Sequence, residues 1–183
     1  HRNDPILPVA VDDLAVSLCL TNAADILAES RRRGFPVRSV YCPPEALGQW
    51  TVIATEALPY PGYARYLAQT IWGAGAGRST RYAVVVEEDV DPTDMAQVVR
   101  AISTRCDPKH GLLKAQNFPG RPFFSADEDD AGDAYALFDC TAARACGKKN
   151  APGSIDDGLP REIAERIAAN WRAYGYREEG RDE

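Results

Sequence analysis

Apolar positions change their period at Glu87, and that change defines the central unit of the chain. Val84, Val85 and Val86 form an unbroken β-branched run of the kind a strand covered on both faces uses, and it ends in Glu87, Glu88, Asp89 and Asp91. Beyond it, Met95, Val98, Val99 and Ile102 recur at helical spacing on one expected face. Asp91 suits the N-cap, Pro92 the first helical position, and Asp94 the positive end of the helix dipole. The reading is a buried strand followed by a capped helix.

The same reasoning extends outward. From around Ser17 to Arg33, the positions Leu20, Ala23, Ala24, Ile26 and Leu27 predict a helix that Gly34 ends in a left-handed cap. Val37 to Tyr41 predicts a short strand, Cys42 to Pro44 a turn, and Gln49 to Glu56 a second strand. Tyr60 and Pro61 then open a helix with Tyr63, Leu67 and Ile71 near one face, closed by Gly73. Cys106 to Ala134, with its NFPGRP turn and acidic DEDDAGD run, reads as a long irregular stretch, the kind that is functional or disordered. Tyr135 to Asp139 predicts the last strand, and Asp157 to Pro160 lead into a helix in which Ile163, Ile167 and Trp171 recur every four residues.

Alternating helices and apolar strands give an α/β class: one domain over residues 1–183, with a mixed, mostly buried sheet flanked by helices. The sheet is expected to be mixed because the link between the two strands before Tyr60 is too short for a helical crossover.

Composition narrows the partners. The 183 residues are 45% hydrophobic and 26% charged with a net charge of −6, which disfavours a nucleic-acid backbone or an anionic membrane. The basic run Arg31 to Arg33 sits where a helix C-terminus favours cations. No apolar run reaches the roughly 20 residues of a membrane span, and a cytoplasmic address is the default. The cysteines Cys19, Cys42, Cys106, Cys140 and Cys146 form no CxxC pair and read as free, buried thiols.

Little self-sufficient chemistry emerges. Glu87, Glu88, Asp89 and Asp91 offer hard oxygen ligands, yet they read better as a solvated turn, and Asp127 to Asp133 as an exposed acidic loop. His110 is the one internal base, without special spacing to Cys106 or Ser103. The run GAGAG at Gly73 to Gly77 follows a helix and opens a strand, the reverse of a phosphate loop.

The order of HRNDPILP at 1–8, GFPVRSVYCPPEA at 34–46, YAVVVEEDVDPTDM at 82–95, AISTRCDP at 101–108 and ANWRAYGY at 169–176 resembles the C-terminal domain of the UbiD-type decarboxylases. That resemblance implies reversible non-oxidative (de)carboxylation of an aromatic or α,β-unsaturated acid. It also implies prenylated FMN with a divalent metal, optionally joined by K+. The catalytic Glu, the catalytic Arg and the metal ligands would then lie N-terminal to His1, so the chain reads as a C-terminal fragment, or else as a separately encoded subunit. Alone it would be inactive, holding no cofactor. It would oligomerise (dimer or higher), pack on its own N-terminal domain and close one wall of the substrate pocket.

By the same resemblance the pocket residues are Arg78 and Ser79 before the central strand, and Phe118, Pro119 and Gly120 in the loop after the central helix. Phe118 can stack on a conjugated acid, an Arg there favours a substrate with a second anionic or polar group, and Gly120 leaves room. Pocket contacts near Leu18 and Leu20 are less secure, the segment before them being short. Two alternatives stay open: a stand-alone α/β assembly or small-acid-binding module without catalysis, and a metal-dependent enzyme built on Glu87 to Asp91.

Overall fold

The computed structural model describes residues 12–118, 133–141, 161–170, 173 and 174. These residues fall into two compact units, one within 1–148 and one within 149–183.

The first unit contains α1 (Asp13–Arg32), β1 (Val37–Tyr41), a 3-10 turn (Pro44–Ala46), β2 (Trp50–Thr55), α2 (Tyr63–Ala74), β3 (Tyr82–Glu87), α3 (Met95–Arg105), β4 (Leu112–Phe118) and β5 (Asp133–Asp139). The strands form one sheet in the order β1-β2-β3-β5-β4. The trio β2, β3 and β5 is parallel, and β1 and β4 run antiparallel at the two edges, so the sheet is mixed as expected. Each face has its own core. Ile26 of α1 and Leu67, Ile71 and Trp72 of α2 pack with Ile53, Val85, Tyr135 and Leu137 on one face. Val98 and Ala101 of α3 pack with Val52, Val84, Val86 and Cys140 on the other. Val84, Val85 and Val86 are fully buried because the trio is covered on both sides.

Several boundaries differ from the sequence reading. Helix α1 starts at Asp13, four residues early, because Asp12 caps it by accepting from the Ala15 N–H at 2.8 Å. Its buried stripe is Ala15, Cys19, Asn22, Ile26 and Ser30, while Leu20 is 67% exposed and Ala24 lies on the exposed side. Gly34 does take the left-handed conformation, at φ +78°. Helix α2 begins at Tyr63 after Gly62 and runs past Gly73 to Ala74, and Gly75 at φ +89° ends it. Asp94, not Asp91, is the N-cap of α3: its carboxylate accepts from the Ala96 and Gln97 N–H groups. Asp91 instead closes the preceding turn through Thr93. Val99 is 55% exposed, off the buried face.

The largest departure is β4, seven residues of strand inside the stretch expected to be irregular. Among the described strands it stands at an edge and pairs with β5, and Lys114 and Gln116 are exposed while Ala115 is buried. Within the second unit, α4 (Arg161–Ala169) carries Ile163 and Ile167 half-buried and Glu162, Glu165 and Arg166 exposed. Trp171, Cys146, residues 1–11 and the acidic residues 127–130 lie outside the described residues. No described helix is long and apolar enough to cross a membrane.

Candidate functional site

Strand direction brings the expected pocket segments to one end of the sheet. Arg78 and Ser79 precede β3, so they stand at the N-terminal ends of the parallel strands. Strand β4 is antiparallel to β5, so its last residue, Phe118, pairs with Asp133 at that same end. Strand β5 starts three residues before the Ala136 that pairs with Tyr82, about 10 Å further along the axis, on the side where the turn before β3 lies. Pro119 and Gly120 lie outside the described residues. Gly48 of the β1–β2 link abuts Leu18 and Asn22, so the N-terminal half of α1 meets this end too.

The turn from Gly75 to Arg81 is tied from three sides. The α2 end holds it through the Gly77 N–H on the Ile71 carbonyl at 3.1 Å. A Cβ at Gly77 would sit 3.2 Å from Trp72 Cδ1 and 3.3 Å from the Ile71 carbonyl carbon, so the close approach favours glycine. Strand β2 holds the turn through the Gln49 carbonyl, which accepts from the Arg81 and Tyr82 N–H groups at 2.8 and 3.0 Å. Strand β5 holds it through the Tyr135 hydroxyl, which donates to the Arg78 carbonyl at 3.1 Å. Ser79 is 8% exposed, and the Arg78 side chain is exposed. The GAGAG run thus ends a helix and packs a turn.

Two residues at this end escaped the sequence reading. Both polar atoms of the Gln49 amide are buried without a hydrogen-bond partner, and so is Asn22 Nδ2. An unsatisfied buried polar group costs about 1–3 kcal/mol. The available signal was an Asn on the apolar stripe of α1, visible only once that stripe is drawn through Ala15, Cys19 and Ile26.

The opposite end is acidic, and its carboxylates are engaged. Glu87 is 6% exposed, which corrects its reading as part of a solvated turn; its place opposite Thr55 in the β2–β3 pairing puts it inside the sheet. Glu88 pairs with Arg38 at 2.9 Å, and Asp89 accepts both terminal nitrogens of Arg105 at 2.6 and 2.9 Å. Those bonds, with Glu87 nearby, raise the Arg105 pKa further. His110 pairs with Asp107 at 2.6 Å, and Ser103 donates to the Val99 carbonyl. Cys19, Cys42 and Cys140 are buried free thiols and Cys106 is half-buried; burial pushes Cys42 up to about 11 and Cys140 to about 12. Among the described residues no three His, Cys, Asp or Glu side chains converge as a metal site.

Residues 15–140 match the family of the 3-octaprenyl-4-hydroxybenzoate carboxy-lyase C-terminal domain. The chain belongs to this UbiD family. It is 26% identical over 193 aligned residues to a pyrrole-2-carboxylic acid decarboxylase of Pseudomonas aeruginosa, covering 96% of this chain and 39% of that protein. Its fold is similar to that of the Sedimentibacter hydroxybenzoicus vanillic acid decarboxylase in open form, with a TM-score of 0.65 and 21% identity over 87% of this chain and 34% of that one. It is also similar to the UbiD-class enzyme HmfF from Pelotomaculum thermopropionicum, solved with FMN, with a TM-score of 0.58 and 18% identity over 82% of this chain and 32% of that one. The chain thus spans about two fifths of the curated relative and a third of the solved structures.

Proposed function

We propose that residues 1–183 are the C-terminal part of a UbiD-type decarboxylase acting on an aromatic or α,β-unsaturated carboxylic acid. The family match over residues 15–140 carries the proposal, and the pyrrole-2-carboxylic acid decarboxylase relative supports an aromatic acid as substrate class. Prenylated FMN, with its divalent metal, would supply the electron sink for loss of CO2, held by residues outside this chain. Alone, the chain is inactive.

Within the whole enzyme, Arg78, Ser79 and Phe118, with Pro119 and Gly120 beyond the described strand end, form one wall of the substrate pocket. Support comes from the sheet topology, which gathers the described members at one end. The exposed Arg78 guanidinium would face a second anionic or strongly polar substituent, and its fixed main chain keeps the charge in place. The same domain would mediate oligomerisation, with the half-buried Ile163 and Ile167 of α4 reaching a neighbouring subunit.

The test uses the full-length protein loaded with cofactor, assayed for CO2 release from a panel of mono- and dicarboxylic aromatic acids. Arg78→Ala should raise KM for the diacids by about tenfold, one lost charge-assisted contact, and leave the monoacids within about twofold. Equal KM values for every acid would remove Arg78 from the pocket.

A further inference from the structure

We infer that Tyr135 is a positioning residue for the Arg78–Ser79 wall, fixing through its hydroxyl where that wall stands; the inference rests on the pocket reading above. Tyr135 lies on the doubly covered strand β5 and is 2% exposed, with its ring 5.1 Å from that of Trp72. Alternation along β5 sends Tyr135 and Leu137 to the same core face, where Leu137 is fully buried. Packing at such a position asks for an aromatic ring and nothing more, so the hydroxyl needs its own reason, since a buried phenol costs stability without a partner. Its partner is the Arg78 carbonyl, 57 residues away in the chain and one residue before Ser79.

The other ties on this turn are backbone bonds or lie within it: Gly77 N–H to Ile71, Arg78 N–H to Gly75, Arg81 and Tyr82 N–H to Gln49, Ala136 N–H of β5 to Arg81, and Thr80 to Gly77. The Tyr135 hydroxyl differs from them in kind. It joins the wall to β5 through a side chain, and loss of one oxygen atom removes it. Because Trp72 and Tyr135 lie ring to ring, the aromatic pair stays in place when that oxygen goes. The wall would then keep its core support and the Arg78 N–H bond to the Gly75 carbonyl while losing its side-chain tie to β5.

The experiment compares Tyr135→Phe with wild type in the full-length protein. Hydrogen exchange at the Arg78, Ser79 and Thr80 amides should quicken by about 2- to 10-fold, the worth of one neutral hydrogen bond, with α2 and β3 unchanged. In the cofactor-loaded enzyme, KM for the preferred acid should rise by a similar factor while kcat holds within about twofold, since the chemistry lies elsewhere. Unchanged exchange at 78–80, or exchange raised throughout α2 and β3, overturns the role of Tyr135 and leaves the pocket reading standing. Faster local exchange with unchanged KM for every acid also overturns it. If the wild-type enzyme turns over none of the acids, the pocket reading falls and takes this inference with it.

Discussion

At the N-terminal ends of β2 and β3 the turn is held largely by main-chain atoms, whereas at their C-terminal ends charged side chains do the holding. The first end gathers the Gln49, Arg78 and Arg81 carbonyls as acceptors, with Arg78 exposed beside them. The second sets Glu88 on Arg38, Asp89 on Arg105, Asp91 on Thr93 and Asp94 on the first turn of α3. Open α/β sheets commonly bind ligands beyond the C-terminal ends of their strands. Here the carboxylates at that end are engaged within the fold, while the exposed Arg78 side chain and the buried, unpartnered amide atoms of Gln49 and Asn22 lie at the other. Bracing by main-chain atoms beside the proposed pocket wall and by charged pairs opposite means that the two ends should respond differently to loss of a side chain.

The sharpest way to break this contrast is to remove the core support of the N-terminal end. Trp72 is 1% exposed and packs on Tyr135 and against Gly77. Trp72→Ala should cost about 3–5 kcal/mol in urea unfolding, by lost burial and the cavity left behind. A cost under about 1 kcal/mol would mean that the turn before β3 stands without the core beneath it.

The corresponding change at the acidic end should matter less. Arg105 has a side chain only 9% exposed and grips Asp89 with two hydrogen bonds, but Asp89 is 40% exposed and keeps water as an alternative partner. Arg105→Leu should therefore cost about 1.5–3 kcal/mol, the range of a hydrogen bond to a charged group, short of a fully buried pair. High salt should leave most of this difference in place, because a guanidinium so enclosed is weakly screened. A salt-erased difference would make the pair an ordinary surface contact.

Local signals were legible in the sequence and distant ones were not. The β3 run, the left-handed Gly34 and the mixed sheet each follow from a few neighbouring residues: three valines, a glycine after a basic turn, a link too short for a crossover. The start of α3 is legible too, in Asp94 and Gln97 rather than in Asp91 and Pro92. Asp94 and Gln97 stand three apart as a capping box does, and Gln97 donates to the Asp94 carboxylate at 2.9 Å. Asp91 and Pro92 offered the competing reading, and the turn before the helix absorbed them. Strand β4 escaped because an edge strand can carry Lys114 and Gln116 on its wet side, which blurs the apolar signal. Among the residues proposed for the pocket wall and its support, Arg78, Ser79 and Phe118 rest on resemblance, and Tyr135 is invisible in the sequence because its hydroxyl bonds a carbonyl 57 positions upstream.

The smallest expected effect concerns the acidic end alone and reads out in pH. The side-chain N–H of Gln97, then its backbone N–H and that of Ala96, hold the Asp94 carboxyl below the ordinary aspartate range. A carboxyl with a lowered folded-state pKa adds stability above its unfolded value, about pH 3.9, and loses it as pH falls through the folded value. Asp94→Asn keeps an oxygen acceptor for the cap but cannot titrate. The wild-type advantage over this variant should thus be constant from about pH 5 to 7 and shrink below about pH 4. Unfolding midpoints of both proteins between pH 2 and 7 would show it. If the two curves stay parallel down to pH 2, the cap does not depend on the charge of Asp94, and the role of charge at this end narrows to the two arginine pairs.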